Sequence, residues 1–593
     1  MLVQSPMPRD SRLTIHFLLL AVALAAFSAC AHGQRNPSQP CPNIHVNDGE
    51  LRLNENERVL VCGSGEGGDG WRSIPIPQST LHLKTILQNQ GYLTPRFERT
   101  GDSLEIWRGP QSEIKSIKII GADEVLHADK KRKVIGYPLE PGKLNEVEAW
   151  AYAAIRRDGF ACAQLTLEAH EWNGELQVKA DLSTRKKFGM LEPGGLDGLD
   201  PAIINRYRPF EGGQQYDIRK TQLLTSRLLG DGLFQSAYVV VRCHGDIVDL
   251  KLETSVGKPK IFRFGIGAST EKFPFIDLSF RNARLDNEAS SFTTRLQLSK
   301  PEQILDFTSE LYWIPGSSRS FFGPRFKIAR TDESTVETNT ASTGADIGRH
   351  FDWLDTRFIV RGGPTLNYVK TVRGAGPDNV LYPTVEGLVT LTSHDYEASI
   401  REQYEGWTAQ FAYRGQNKGL GSKVDVNRYK IDFKSLWNIG VYSPPLFVIG
   451  TRIEGVVVDA DAVNESQNRD LVPVDDRIYM GGDDNLRGFK RQSINNDGLG
   501  FLTSIYIGFE LRLIEELPYH VQPFLLWDGA RLGNRRYSVD EPIYTSEGLG
   551  LRWASPFGTL RGSAARGRVF RGDASTSGFP DQWVYFLSFG QEF

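Results

Sequence analysis

Apolar and polar residues alternate with period two through much of the second half of the chain. Ile505, Ile507, Phe509, Leu511 and Leu513 share one parity, and Ser504, Tyr506, Gly508, Glu510 and Arg512 the other. A strand here has one apolar face and one charged face. Leu549, Leu551 and Trp553 alternate with Gly548, Gly550 and Arg552, and Trp583, Tyr585, Leu587 and Phe589 with Ser588, Gly590 and Glu592. The pattern predicts strands over 500–515, 519–533, 546–556, 558–570 and 582–593. Eleven or twelve further runs lie between residue 260 and residue 499, because 396–416 reads as one strand or as two. A soluble sandwich would turn the charged face to water; a membrane barrel would turn the apolar face to lipid and the polar face to its lumen. Alternation alone fits both.

Residues 40–257 follow a different rhythm. Helix-like stretches end at Gly91-Tyr92, Gly159-Phe160 and Gly232-Leu233-Phe234, and strand-like runs follow each. A spacing near 70 residues exceeds that of most solenoid repeats and predicts three small tandem domains, over 40–110, 111–184 and 185–257. The middle copy is clearest. Ile114–Ile120 opens it as a strand, and Val147, Trp150, Ala151, Ala154 and Ile155 have the spacing of one buried helix face. Cys162–Glu168 and Leu176–Leu182 then alternate as a hairpin would. A small sheet covered by helices on one face leaves an edge that can pair with an extended peptide.

The first 31 residues are an address. Arg9 and Arg12 precede an apolar run from Leu13 that ends in small residues near Ala31, the build of a secretory signal. Cleavage after Ala31 and after Gly33 both fit, and Cys30 leaves a lipoprotein signal open. No later stretch has the continuous apolar length of a spanning helix, so a membrane span in the mature chain must be made of strands. Four cysteines follow the signal, Cys41, Cys62, Cys162 and Cys243, and none lies beyond residue 260. In an oxidising compartment Cys41 and Cys62 could pair or stand as thiols; their spacing does not decide.

Bulk composition adds two exclusions. The chain has 593 residues, 69 basic against 72 acidic side chains and a formal charge of −3, which excludes a nucleic-acid coat. At 40% apolar residues it is not a bundle of many spanning helices. Its 59 glycines and 11% aromatics suit a chain of many strands and turns. One motif is a decoy: Gly63-Ser-Gly65-Glu-Gly67-Gly68 has the spacing of a dinucleotide loop after the strand-like Arg58–Cys62. That site needs a helix to begin directly after the glycines, and Pro75 and Pro77 are expected to forbid one. No cofactor or metal is expected.

Between the runs ending near Val458 and starting near Phe501 lies a segment of about 40 residues, far longer than an ordinary loop. It contains Gly481-Gly482-Asp483-Asp-Asn-Leu486-Arg487-Gly488-Phe489. Here the chain resembles the BamA/TamA family of outer-membrane assembly factors, and the Gly481-Gly482-Asp483 form is most similar to the family's TamA branch. The resemblance implies three polypeptide-transport-associated (POTRA) domains followed by a 16-stranded antiparallel transmembrane barrel over 260–593, with the loop 460–499 folded into the lumen. It implies that Arg487 meets Glu510 and Asp528, which stand at the family's acidic positions. An arginine fork can hold two carboxylates in a way lysine cannot. Phe593 gives the chain the aromatic end common to such barrels.

The resemblance further implies a non-enzymatic factor of a Gram-negative outer membrane, with its POTRA domains in the periplasm. It would insert or secrete outer-membrane or autotransporter clients through a lateral seam, in contact with outer-membrane lipid and a periplasm-spanning, TamB-like partner. A two-partner secretion transporter of the same superfamily is the nearest alternative. A lipase-type barrel is the alternative from another class, but the sequence has no G-x-S-x-G and its ten histidines form no evident cluster.

Overall fold

The computed structural model describes residues 39–589 apart from 65–69, 171, 315–316, 399–402, 461–470, 515–516, 518–519, 556–557 and 571–582. The signal-like segment with its cleavage points, most of the Gly-rich turn and Phe593 lie outside the described residues.

Three three-stranded sheets come first. In the first, β1 (Ile44–Val46) runs parallel to β3 (Ser103–Trp107), and β3 pairs antiparallel with β2 (Arg96–Thr100). The second repeats this order with β4 (Ser116–Ile120), β6 (Glu175–Asp181) and β5 (Gln164–His170). The third does so with β7 (Lys187–Gly194), β9 (Ile247–Val256) and β8 (Phe234–His244). A parallel pair needs a long crossover. The chain supplies it with α1 (Glu55–Cys62) and α2 (Ile76–Asn89) in the first repeat, α3 (Pro141–Arg157) in the second, and α4 (Ile204–Tyr207) and α5 (Ile218–Gly230) in the third. On α3, Val147, Ala151 and Ile155 are fully buried, while Trp150 and Ala154 are half-buried. These are α/β domains of POTRA type. The first two sheets lie in one compact unit, and the third lies with the barrel in another.

Two local expectations are corrected. Arg58–Cys62 is the end of helix α1, not a strand. Its start is fixed by a capping box: the Asn54 side chain accepts from the Glu57 N–H at 2.9 Å, and the Glu57 carboxylate accepts from the Asn54 N–H at 2.8 Å. The prolines do not forbid a helix either. Pro75 is the N-cap of α2 and Pro77 lies in its first turn, where a missing N–H costs no helical bond. That helix begins only after a 3-10 turn at Gly70–Ser73, well beyond the glycines. Cys41 and Cys62 are joined as a disulfide. A second one, which the sequence reading did not identify, joins Cys162, just after α3, to Cys243 on β8.

Sixteen antiparallel strands follow, β10 (Lys260–Gly267) to β25 (Trp583–Phe589), each paired with its neighbour in chain order. The stretch 396–416 holds one described strand, β18 (Gly406–Gln416). Burial separates the two readings of the alternation. On β21 (Thr503–Leu513), Ile505 and Phe509 are 47% and 43% exposed, whereas Tyr506 and Glu510 are each 1% exposed. Leu549, Leu551, Trp553, Trp583, Tyr585 and Leu587 also face outward. Apolar outside and charged inside is the reverse of a soluble sandwich and the arrangement of a barrel in lipid. Among the described residues, no helix is long and apolar enough to cross a membrane.

Candidate functional site: the lumenal loop and the barrel seam

The long loop after β20 (Phe447–Ala460) folds back on itself against the inner wall. Ile478 and Phe501 exchange backbone hydrogen bonds of 3.0 and 2.9 Å, and Met480 and Ile494 exchange two of 3.0 Å. Val472, Ile478, Met480, Leu486, Phe489 and Ile494 are buried with wall residues such as Val458, Tyr506, Ala530 and Tyr544. An apolar strip thus draws a polar, Gly-rich segment inward. Gly481 and Gly482 sit at φ +103° and +124°, a region that side-chain-bearing residues rarely adopt. Gly488 lies so close to the backbone of Gly567 that a Cβ would collide with it. Phe489 meets the Tyr544 ring edge-on, with centroids 5.9 Å apart.

Arg487 is completely buried. Its Nε donates to Asp528 Oδ2 at 3.0 Å, its Nη2 to Oδ1 at 2.6 Å, and its backbone N–H to Oδ2 at 3.1 Å. Its Nη1 donates to Glu510. Asp528 lies on β22 (Val521–Gly533) and also accepts from the Tyr506 hydroxyl at 3.0 Å. Glu510 also receives Arg512, at 2.8 and 3.0 Å, and Arg561 of β24 (Gly558–Phe570). The Gly488 N–H donates to Ser546 on β23 (Asp540–Ser555) at 2.9 Å. The structure therefore brings Arg487, Glu510 and Asp528 together, and the loop's hydrogen bonds here span three consecutive strands, β21 to β23. The Asp483 backbone N–H donates to Glu271 at 3.2 Å, between β10 and β11 (Phe275–Asn282).

Sequence reasoning missed several partners. Arg512 shares the parity of Glu510 and was legible by that rule alone. Arg491, Glu271, Glu302 and Glu333 form a second charged cluster on the loop's other side, and nothing local in the sequence joins them. A further group lies near the third sheet: Asp352, His394 and Glu397 bring one ligand atom each within 4.8 Å. The Arg227 guanidinium of α5 already occupies that group, donating to Asp352 at 2.6 and 3.1 Å and to Glu397 at 2.9 Å. This makes it an ion-pair joint between α5 and the barrel turns.

The two ends of the barrel sheet meet unevenly. β25 holds unbroken register with β24 from Arg566↔Trp583 to Leu560↔Phe589. On its other side Ser588 bridges Ser269, Thr270 N–H donates to Leu587 O at 3.0 Å, and Phe589 N–H to Ala268 O at 3.1 Å. Those contacts lie past the end of β10, so among the described residues the seam is a short overlap.

Three small α/β domains precede a sixteen-stranded barrel with an apolar outer face, and a fully buried arginine holds a long loop to the acids of its inner face. Residues 256–579 match the family model described as the Omp85 superfamily domain, and the chain belongs to that superfamily. Barrels of this superfamily are outer-membrane proteins that transport or assemble other proteins. Among solved structures, BamA from Haemophilus ducreyi lacking POTRA domains 1–3 matches at 14% identity, over 77% of this chain and 94% of that one, with a TM-score of 0.47. CdiB from Acinetobacter baumannii matches at 14% identity over 98% and 99%, with a TM-score of 0.42. CdiB from Escherichia coli matches at 12% identity over 91% and 99%, with a TM-score of 0.45.

Proposed function

We propose that this chain is a TamA-like assembly factor that inserts or secretes outer-membrane or autotransporter proteins through a lateral seam between β10 and β25. The observation that carries the proposal is that, among the described residues, the two ends of the sheet meet only through 268–270 and 587–589, beside the full register of β24 with β25. A weakly paired edge is where a client strand can add by backbone hydrogen bonds. Phe262, Phe264 and Ile266 on β10 and Tyr585 and Leu587 on β25 are exposed, so an opened edge already faces lipid. The small domains lie in the periplasm of a Gram-negative cell and receive the unfolded client at β2, β5 and β8, each an edge of its sheet. A periplasm-spanning, TamB-like partner delivers it. The client's own folding supplies the free energy, so the role is not enzymatic.

The three small sheets favour an assembly factor over a two-partner secretion transporter, which would normally carry two such domains. The test is a covalent lock: Ser269→Cys with Ser588→Cys, oxidised in the full-length protein in outer membranes. Locked protein is expected to lose client assembly and to regain it on reduction. Full assembly by the locked form overturns the proposal.

A further inference from the structure

Beyond the Arg487 pin, the loop carries a second charged residue whose partners all lie on the opposite side of the seam. Arg491 Nε and Nη2 donate to Glu333 Oε1 at 2.9 and 2.7 Å, and Nη2 also donates to Glu302 Oε1 at 2.7 Å. Its Nη1 lies 3.9 Å from Glu271 Oε2. Glu302 begins β13 (Glu302–Glu310), and Glu333 follows β14 (Ser320–Asp332). Glu271 is the residue after Thr270, whose N–H makes one of the seam's own hydrogen bonds. The Glu271 carboxylate is thus held from the loop twice, by Arg491 and by the Asp483 N–H at 3.2 Å. Gly482 leaves room for it, since a Cβ there would stand 2.7 Å from Glu271 Oε1.

The wall partners of the other pin are on the last strands: Glu510 on β21, Asp528 on β22 and Ser546 on β23. Only four positions separate Arg487 from Arg491, and that stretch is stiffened by Phe489 N–H to Leu486 O at 3.0 Å and Gln492 N–H to Gly481 O at 3.0 Å. A short, internally bonded segment with one end fixed to each flank cannot follow both flanks as they part.

We propose that the lumenal loop is a staple across the seam, with Arg491 and Glu271 as the positioning pair that ties it to the turn after the first strand. The inference rests on the seam reading above, because a staple matters only where the two flanks separate. Opening then requires the Arg491 side to let go while Arg487 keeps the loop on the last strands. The Arg491 side, where Arg491 and Glu302 keep some exposure, is the weaker side to break, and the fully buried Arg487 the stronger.

The experiment uses the Ser269→Cys, Ser588→Cys protein in outer-membrane vesicles, with the two native disulfides left in place. Disulfide yield at a fixed short oxidation time reads how closely the seam edges stay together. Arg491→Ala and Glu271→Gln are each expected to lower the yield several-fold, with Arg491→Lys intermediate. The double variant should fall no further than Arg491→Ala, because both changes break one coupling. Arg330→Ala, which removes an exposed pair with Glu337 on the barrel, should leave the yield unchanged. Heat-modifiable gel migration confirms that each barrel is folded, and Glu271→Gln, nearly isosteric, serves if Arg491→Ala is not. Unchanged yields in folded Arg491→Ala and Glu271→Gln, or fully additive losses, overturn the staple. A locked barrel that still assembles clients overturns the seam reading instead, and the yields still decide on the staple.

Discussion

Arg487 and Asp528 face each other fork to fork inside the barrel: two guanidinium nitrogens and the Arg487 backbone N–H all donate to one carboxylate. Neither residue has measurable exposure. Glu510, the other acid of the site, has two further cations in Arg512 and Arg561, so it keeps partners if Arg487 is lost. Asp528 would keep only the Tyr506 hydroxyl among the contacts described above. Arg487→Ala should therefore free the loop mainly by stranding Asp528. Removing one partner of a buried pair costs about 3–5 kcal/mol. The barrel should still insert, because its strand register does not depend on this pair, while client assembly falls and amide exchange rises across 480–490. Adding Asp528→Asn should recover part of the loop's protection. Normal assembly by Arg487→Ala would sink the pinned-loop mechanism, and Arg487→Lys should resemble the alanine variant because a single ammonium cannot copy the fork.

What the sequence made legible follows from the range of each signal. Period-two alternation is local, so the face assignments on β21 and the count of strands after residue 499 could be read directly. Glu510 and Asp528 were reachable because a compact motif names Arg487 and the resemblance supplies its partners. The strand assigned to Arg58–Cys62 failed because three apolar residues in a row fit either element, and the Asn54–Glu57 capping box was the signal that decides. Arg491 was not legible at all: its carboxylates lie 158 and 189 residues away, at the start of one strand and just past another. The Cys162–Cys243 bridge spans 81 residues and is fixed by how α3 and β8 are placed, which no spacing rule contains.

Arg227 makes a second prediction. This α5 residue is 3% exposed and holds both Asp352, at the end of β15 (Glu337–Trp353), and Glu397, after β17 (Val380–Ser393). His394 adds a contact to Asp352 at 3.0 Å. Arg227→Ala would leave Asp352 with the His394 contact and Glu397 with the more distant Arg357 guanidinium at 3.6 Å, a loss of up to about 3–5 kcal/mol at this joint. Exchange should rise across Ile218–Gly230 while the sixteen-stranded barrel keeps its register. Charge-neutralising Asp352→Asn with Glu397→Gln in the Arg227→Ala background should restore part of that protection. An unchanged exchange pattern in Arg227→Ala would show that α5 is held by apolar packing alone.

The last prediction concerns pH and the first small domain. Partial burial pushes the Asp48 carboxyl upward, but the backbone N–H groups of Arg108, at 2.9 Å, and Gly109, at 2.8 Å, outweigh it together with the Arg108 guanidinium. The net effect holds Asp48 below the usual carboxylate value. A folded-state pKa that lies below the unfolded one means that the ionised form stabilises the fold. That contribution is complete above the unfolded value of roughly 3.9, and it disappears as pH falls through the lower folded value. The two amides should thus be protected at neutral pH and lose protection only in strong acid. Asp48→Asn keeps the shape and removes the charge, so it should show weaker protection at neutral pH and no such acid transition. Hydrogen exchange of the Arg108 and Gly109 amides, corrected for intrinsic rates and followed from about pH 6 to about pH 2 in both proteins, checks this. Parallel profiles for the wild type and Asp48→Asn would mean that the carboxylate does not hold this turn.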